Sequence, residues 1–153
     1  MNRPAARNVK TYIASGNVVF TSRLGAKALA AKLQEAIKEE FGISIAIVVL
    51  TAKQLATAIQ RNPFAGASPN SLYVAFATGP ITKADVDRLA NLDIAPEDVR
   101  VRGRLIYLHM PNGYGRARLP GEVSRVKVPT TVRNWRTVVT LSEMAAAPLT
   151  ISR

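Results

Sequence analysis

Residues 9–22 read Val-Lys-Thr-Tyr-Ile-Ala-Ser-Gly-Asn-Val-Val-Phe-Thr-Ser. Two runs rich in β-branched and aromatic residues, Val9–Ala14 and Val18–Ser22, flank the tripeptide Ser15-Gly16-Asn17. Such runs favour strands, and glycine at the first central position of a two-residue loop is what a type II′ turn requires. The stretch therefore predicts a β-hairpin.

A helix and a further strand follow the predicted hairpin. Residues 25–41 place apolar side chains four apart, at Leu29, Leu33, Ile37 and Phe41, which is one stripe of a helix. Gly42 stands where a left-handed helix stop belongs. Ile45–Leu50 is apolar throughout, so it predicts a strand buried on both faces. Strands and helices in this order predict an α+β fold.

A capping signal opens the next helix. In Thr51-Ala52-Lys53-Gln54 the threonine hydroxyl and the glutamine side chain can each satisfy a free backbone N–H group. The helix should run to about Arg61, since the residue before Pro63 avoids the helical conformation. Residues 63–71 are the only linker-like stretch, so we expect a boundary there. The predicted units are a first α+β half at 1–62, the linker, and a second half at 72–153.

The second half predicts a similar succession of elements. The expected segments are a strand at 72–78, a helix at 83–92 capped by Thr82, a hairpin of 99–102 with 105–110, an irregular basic segment at 116–129, and a helix from Thr130 or Thr131 to about Ala147. The element order matches two ferredoxin-like βαββαβ-type halves with antiparallel or mixed sheets, the first lacking its opening strand and helix.

The positive charge of the chain is unevenly distributed. The 153 residues carry a formal net charge of +11, and residues 100–136 hold nine Lys and Arg against one acid, Glu122. Eight of the eleven excess charges therefore lie in one stretch. Concentrated positive charge predicts a place where an anion binds.

Two motifs in this stretch are suited to anion recognition. Gly113-Tyr114-Gly115-Arg116-Ala117-Arg118 follows a predicted strand, and glycines let backbone N–H groups approach an oxyanion while arginines add charge. A predicted helix start at 130–136 would add free N–H groups. Together with the hairpin tip, the candidate ligand-binding residues are Ser15, Gly16, Asn17, Gly113, Gly115, Arg116, Arg118, Thr131, Arg133 and Asn134.

Several functions remain open on these residues. Ordinary turns and solvated arginines account for the same motifs without any ligand. The preferred interpretation is a protein that binds an anionic, phosphate-bearing ligand, either a small molecule or a nucleic-acid backbone. The alternatives are an enzyme that uses Ser15, Asn17 or Arg133 on a phosphorylated substrate, and an interaction module that pairs with a partner through an open sheet edge.

Composition excludes other classes of site. The chain has no cysteine and a single histidine, His109, which excludes disulfides, thiolate ligands and a histidine-rich metal site. No apolar run approaches the roughly 20 residues of a membrane-spanning helix. We expect a cytoplasmic protein with no metal, no cofactor and no membrane partner, and the sequence names no catalytic residue.

Four motifs resemble the bacterial domain-of-unknown-function family 1697. Tyr12–Phe20 is similar to its signature YIQSGNVVF, Asn62-Pro63-Phe64 to its NPF, Gly113–Leu119 to its G-x-G-R-S-K-L, and Thr130–Val138 to its TTRNWNTV. The resemblance implies an α+β fold built from ferredoxin-like halves and implies no established reaction.

The chain departs from the family pattern in two places. Family members open with a strand similar to YVALLRGINVGG and a helix, whereas Met1–Asn8 stands in place of both here. A truncated form and a misassigned start are both open, and we expect an exposed sheet edge that favours self-association. Where many members have a helix, residues 119–129 contain Pro120 and Pro129, which argue against a full helix.

Overall fold

The computed structural model describes residues 7–12 and 16–146, with an α+β architecture as the sequence predicts. The elements are β1 Arg7–Tyr12, β2 Asn17–Thr21, α1 Ala26–Phe41, α2 Ala52–Gln60, β3 Leu72–Ala77, α3 Lys83–Ala90, β4 Asp98–Arg102, β5 Leu105–His109, α4 Leu119–Ser124, β6 Thr130–Asn134 and α5 Trp135–Ala146. Two short 3₁₀ turns lie at Pro69–Ser71 and Tyr114–Arg116.

The predicted N-terminal hairpin is present with a different turn. Strands β1 and β2 pair antiparallel, and Tyr12 lies opposite Asn17. The connection is therefore longer than the two residues that the sequence predicts. Asn17 belongs to the strand, where its side chain is buried, and Gly16 before it adopts a φ of 87°, a conformation that other residues rarely take.

A four-stranded antiparallel sheet forms the centre of the molecule, with the strand order β4-β5-β3-β6. The elements β3-α3-β4-β5-α4-β6 run in the order βαββαβ. Side chains alternate between the two faces. We call the face covered by α3 and α4 the α3/α4 face, and the face covered by α2 and α5 the α2/α5 face. Val74 and Ala75 of β3 are fully buried on opposite faces, so β3 is the centre of the core.

The expected architecture of two ferredoxin-like halves is not confirmed. Among the described residues, the first half holds only the β1–β2 hairpin and the helices α1 and α2. The predicted strand at Ile45–Leu50 is wrong, since those residues form no strand and Ile45 is 44% exposed. Both neighbours of β3 come from the second half, so the apolar run has no place in the central sheet.

Two further predictions in the second half are wrong. Residues 119–124, expected to be irregular, form the short helix α4, because Pro120 lies in its first turn, where a proline costs no hydrogen bond. Thr130–Asn134, expected to begin a helix, form the edge strand β6. Their β-branched side chains suit a strand, and pairing with β3 satisfies their backbone groups. The last helix begins at Trp135 instead, where Asn134 Oδ1 accepts a hydrogen bond from Thr137 N.

The expected boundary at 63–71 stays a prediction, but core contacts cross it. Leu55 of α2 packs in one cluster with Val74 and Val138. The buried Tyr107 hydroxyl donates a 2.6 Å hydrogen bond to the carbonyl oxygen of Ala58. Helix α2 is therefore attached to the sheet through both apolar and polar contacts.

Candidate functional site

Three of the predicted site residues, Thr131, Arg133 and Asn134, belong to strand β6 and point to different faces of the sheet. Thr131 and Arg133 are opposite Phe76 and Val74 of β3, whose side chains lie on the α2/α5 face. Asn134 is opposite Tyr73, whose side chain packs on the α3/α4 face. Because neighbours along a strand alternate, Arg133 and Asn134 point to opposite faces of the sheet.

Arg133 is the centre of a hydrogen-bonded cluster on the α2/α5 face. Its Nε donates to Asn17 Oδ1 at 2.6 Å, and its Nη1 donates to Thr131 Oγ1 at 2.6 Å and to the Val132 carbonyl at 2.9 Å. Three predicted site residues are thus brought together, and Gly16 adjoins Asn17 in the chain. Ser15 lies outside the described residues. The cluster joins the N-terminal hairpin to strand β6.

The Gly113–Arg118 loop lies on the α3/α4 face. The Tyr114 ring packs against the Tyr73 ring, with centroids 5.0 Å apart. Gly113 has a φ of 90° and donates from N to the Met110 carbonyl, which turns the chain sharply after β5. Arg116 and Arg118 are exposed, and neither forms an ion pair among the described residues.

A carboxylate of the chain itself lies against this loop. The Glu97 carboxylate accepts hydrogen bonds from Arg118 N at 2.9 Å and 3.1 Å and from Leu119 N at 3.0 Å. The free N–H groups at the start of α4 are therefore satisfied by the chain itself. Sequence reasoning missed Glu97, because no local pattern links it to residues 21 positions away. Of the predicted site residues in the loop, Gly115, Arg116 and Arg118 are exposed, whereas the Gly113 N–H is bonded to the Met110 carbonyl.

The start of α5 lies beside the loop. Tyr114 rests on Tyr73, and the register partner of Tyr73 on the neighbouring strand is Asn134, which caps α5. Register partners on adjacent strands point to the same face. Arg136, in the first turn of α5, is exposed and forms no ion pair among the described residues. The loop and the helix start therefore lie at the same end of the sheet.

Asp85 is the buried acid among the described residues, and its hydrogen bonds join separate segments of the fold. Its Oδ2 accepts hydrogen bonds from Lys127 N at 3.0 Å and from the Thr82 hydroxyl at 3.2 Å, and Arg88 Nε lies 3.5 Å from Oδ1. The Lys127 N–H above all, with Thr82 and Arg88, lowers the pKa of the carboxyl below its usual 3.8, although burial acts in the opposite direction. Asp85 thus fastens the segment after α4 to helix α3.

Three further observations concern the described part of the chain. Within residues 7–12 and 16–146, no group of three or more His, Asp or Glu residues is placed to hold a metal ion. A groove of about 380 Å³ lies between α3 and β4, lined by residues from Val86 to Val101. The predicted site residues lie outside that range. In the part of the chain that the structure describes, no helix has the length and apolar character to cross a membrane.

Comparison with known proteins identifies a family and no characterised relative. The family model described as protein of unknown function (DUF1697) matches residues 2–107. No curated protein and no solved structure matches the chain.

Proposed function

Because the chain belongs to the DUF1697 family, whose description names no activity, we propose from its geometry that it binds an anionic, phosphate-bearing ligand. The proposed site is the end of the sheet where the Gly113–Arg118 loop and the start of α5 both lie. The observation that carries the proposal is the packing of Tyr114 on Tyr73, beside Asn134, because it holds the loop next to the helix start.

The charge at this site supports an anionic ligand. Arg116, Arg118 and Arg136 are exposed, and they form no ion pair in the described part of the chain. Glu97, the acid at the loop, is held by backbone N–H groups rather than by the arginines. A guanidinium group can donate two parallel hydrogen bonds to the oxygens of one phosphate. The three arginines therefore suit a phosphate or diphosphate group.

Uncharged groups of the backbone and of Asn134 would add hydrogen bonds to the attraction of the arginines. The Gly113 N–H is bonded to the Met110 carbonyl, whereas Gly115 is exposed in the turn that follows, where the lack of a side chain leaves its N–H group accessible to an oxyanion. The Asn134 side chain is exposed at the same end and supplies a further polar group. In this proposal Asn17, Thr131 and Arg133 position strand β6, and hence the start of α5, from the opposite face.

Titration calorimetry with inorganic pyrophosphate tests the proposal. The variant Arg116→Gln/Arg118→Gln removes two guanidinium groups from the loop, and we expect its affinity to fall at least about tenfold. The control Arg23→Gln/Lys27→Gln removes two exposed charges elsewhere and should bind as the parent protein does. Equal affinities in all three proteins, or no heat of binding to the parent protein, would overturn the proposal.

A further inference from the structure

The edge strand β4 exposes arginine side chains on the α2/α5 face. Along the strand, Val99 is buried against the α3/α4 face, whereas Arg100 and Arg102 point the other way and are exposed. Helices α2 and α5 cover β3 and β5 on that face through Val74, Tyr107 and Val138. The cover stops before β4, so two guanidinium groups two residues apart, about 6.6 Å along the strand, face solvent.

Two stacked rings border these arginines. The ring of Phe64 stacks on the imidazole of His109, with centroids 5.4 Å apart and planes inclined by 28°. The guanidinium carbon of Arg100 lies 5.8 Å from the centre of the Phe64 ring. Phe64 owes its place to the turn after α2, where Asn62 Oδ1 accepts a 2.9 Å hydrogen bond from Phe64 N. The Asn62-Pro63-Phe64 motif thus places the Phe64 ring beside Arg100.

A third arginine approaches from the end of α2. Arg61 ends that helix and is exposed. Burial raises the pKa of the Tyr107 phenol, and the positive charges of Arg102 and Arg61 both oppose that rise. Ala58, three residues before Arg61, accepts the Tyr107 hydrogen bond, and Tyr107 is the register partner of Arg100, so the end of α2 lies over the strands that carry these arginines. Arg100 pairs with Asp98, whereas Arg61 and Arg102 form no ion pair in the described part of the chain.

We propose that Arg61, Phe64, Arg100, Arg102 and His109, hereafter the β4 surface, bind single-stranded nucleic acid without sequence preference. Guanidinium groups would hold the phosphates, and the ring pair of Phe64 and His109 would stack against a base. Proteins that bind single strands combine positive side chains along the phosphate backbone with aromatic rings that stack on the bases. Such stacking has little sequence preference, because every base has a flat aromatic face. The surface is separate from the phosphate site proposed above.

Other partners fit the β4 surface less well. A membrane surface would need exposed apolar side chains beside the arginines. In the described part of the chain, none of the large exposed hydrophobic residues belongs to β4; they are Val18, Phe41, Ile43, Ile45, Leu50 and Tyr114. An acidic polypeptide would satisfy the guanidinium groups and leave the ring pair without a role. A single strand uses both parts of the surface.

Fluorescence anisotropy with a 12-nucleotide oligothymidylate tests the charge contribution. We expect Arg61→Gln/Arg102→Gln to bind at least about tenfold more weakly than the parent protein. Loss of two phosphate contacts should also reduce the slope of log affinity against log salt by about 1.4. The matched control Arg23→Gln/Lys27→Gln loses the same charge from exposed positions outside both proposed sites and should bind the oligonucleotide as the parent does. Equal affinity in the parent and the β4 variant overturns the proposal.

The ring contribution separates a nucleic acid from any other polyanion. We expect Phe64→Leu to weaken oligothymidylate binding about fivefold or more and to leave binding of poly-glutamate unchanged. Phe64→Tyr keeps the ring and should bind as the parent does, which guards against a folding defect in the leucine variant. If poly-glutamate binds as tightly as the oligonucleotide, or if both Phe64 variants bind the oligonucleotide as the parent does, the surface is a general polyanion site and the proposal fails.

The two proposals fail independently. Pyrophosphate titration of Arg61→Gln/Arg102→Gln should match the parent protein, because those residues lie outside the loop site. Oligonucleotide binding that disappears in the loop variant and survives in the β4 variant would overturn the β4 surface while supporting an anion site at the loop.

Discussion

Arg133 Nε donates a 2.6 Å hydrogen bond to Asn17 Oδ1, joining residues 116 positions apart. Asn17 is only 8% exposed, and Arg133 is half-buried. The contact connects the N-terminal hairpin to the edge of the central sheet and brings together two motifs that the sequence marks separately. A half-buried bond to a charged group contributes more to stability than a bond between neutral groups.

A double-mutant cycle measures this connection. We expect Asn17→Ala and Arg133→Ala each to lower the free energy of unfolding by about 1.5–3 kcal/mol. The double variant should lose less than the two single losses added, with a coupling of about 0.5–3 kcal/mol in urea denaturation. As a control, Asn17→Ala combined with Arg125→Ala, an exposed residue at the C-terminal end of α4, should be additive. Additivity in the Arg133 cycle would contradict the contact.

Removal of the Tyr107 hydroxyl should loosen helix α2. Tyr107→Phe keeps the buried ring and deletes the 2.6 Å bond to the Ala58 carbonyl, which leaves that oxygen without its partner. We expect the free energy of unfolding to fall by about 1–3 kcal/mol, and hydrogen exchange to quicken within α2. Tyr73→Phe serves as the control, since Tyr73 is half-buried and its hydroxyl forms no hydrogen bond with the described residues. Unchanged exchange in α2 would show that the helix is held by its apolar contacts alone.

Asp85 should make stability depend on acidity. The folded-state pKa of this carboxyl lies below its ordinary value of 3.8, since the Lys127 N–H favours the charged form. Its contribution is therefore full above the unfolded-state pKa and is lost as the pH falls through the lowered folded-state value. In urea denaturation at pH 7, 4 and 3, we expect Asp85→Asn to be less stable than the parent at pH 7 and to lose less on acidification. Parallel pH profiles would be the contrary result.

Ile45, in the segment predicted to be a buried strand, should tolerate polar substitution. Since Ile45 is 44% exposed and belongs to no strand, we expect Ile45→Thr to change the free energy of unfolding by less than about 0.5 kcal/mol. Val74→Thr, at a fully buried position of β3, is the matched control and should cost about 1–3 kcal/mol. A comparable loss at Ile45 would support the buried strand that the sequence predicts.

Local patterns in the sequence determined many of the elements and their ends. The Thr51 capping box forms with both of its hydrogen bonds, Gly42 ends α1 in the left-handed conformation, and Thr82 caps α3. The two predicted hairpins and the buried strand β3 are also present. These features depend on groups a few residues apart, so the physical cause is visible in the sequence itself.

Tertiary structure decided whatever depends on the choice of a distant partner. Thr130–Asn134 become a strand because β3 offers a free edge, while the apolar run Ile45–Leu50 finds no place beside it. The register then sends Arg133 toward Asn17 and Asn134 toward the tyrosine pair, which divides the predicted site between two faces. The sequence alone located the basic stretch. Which arginines share a surface depends on the tertiary structure, because strand pairing and register determine where each side chain points.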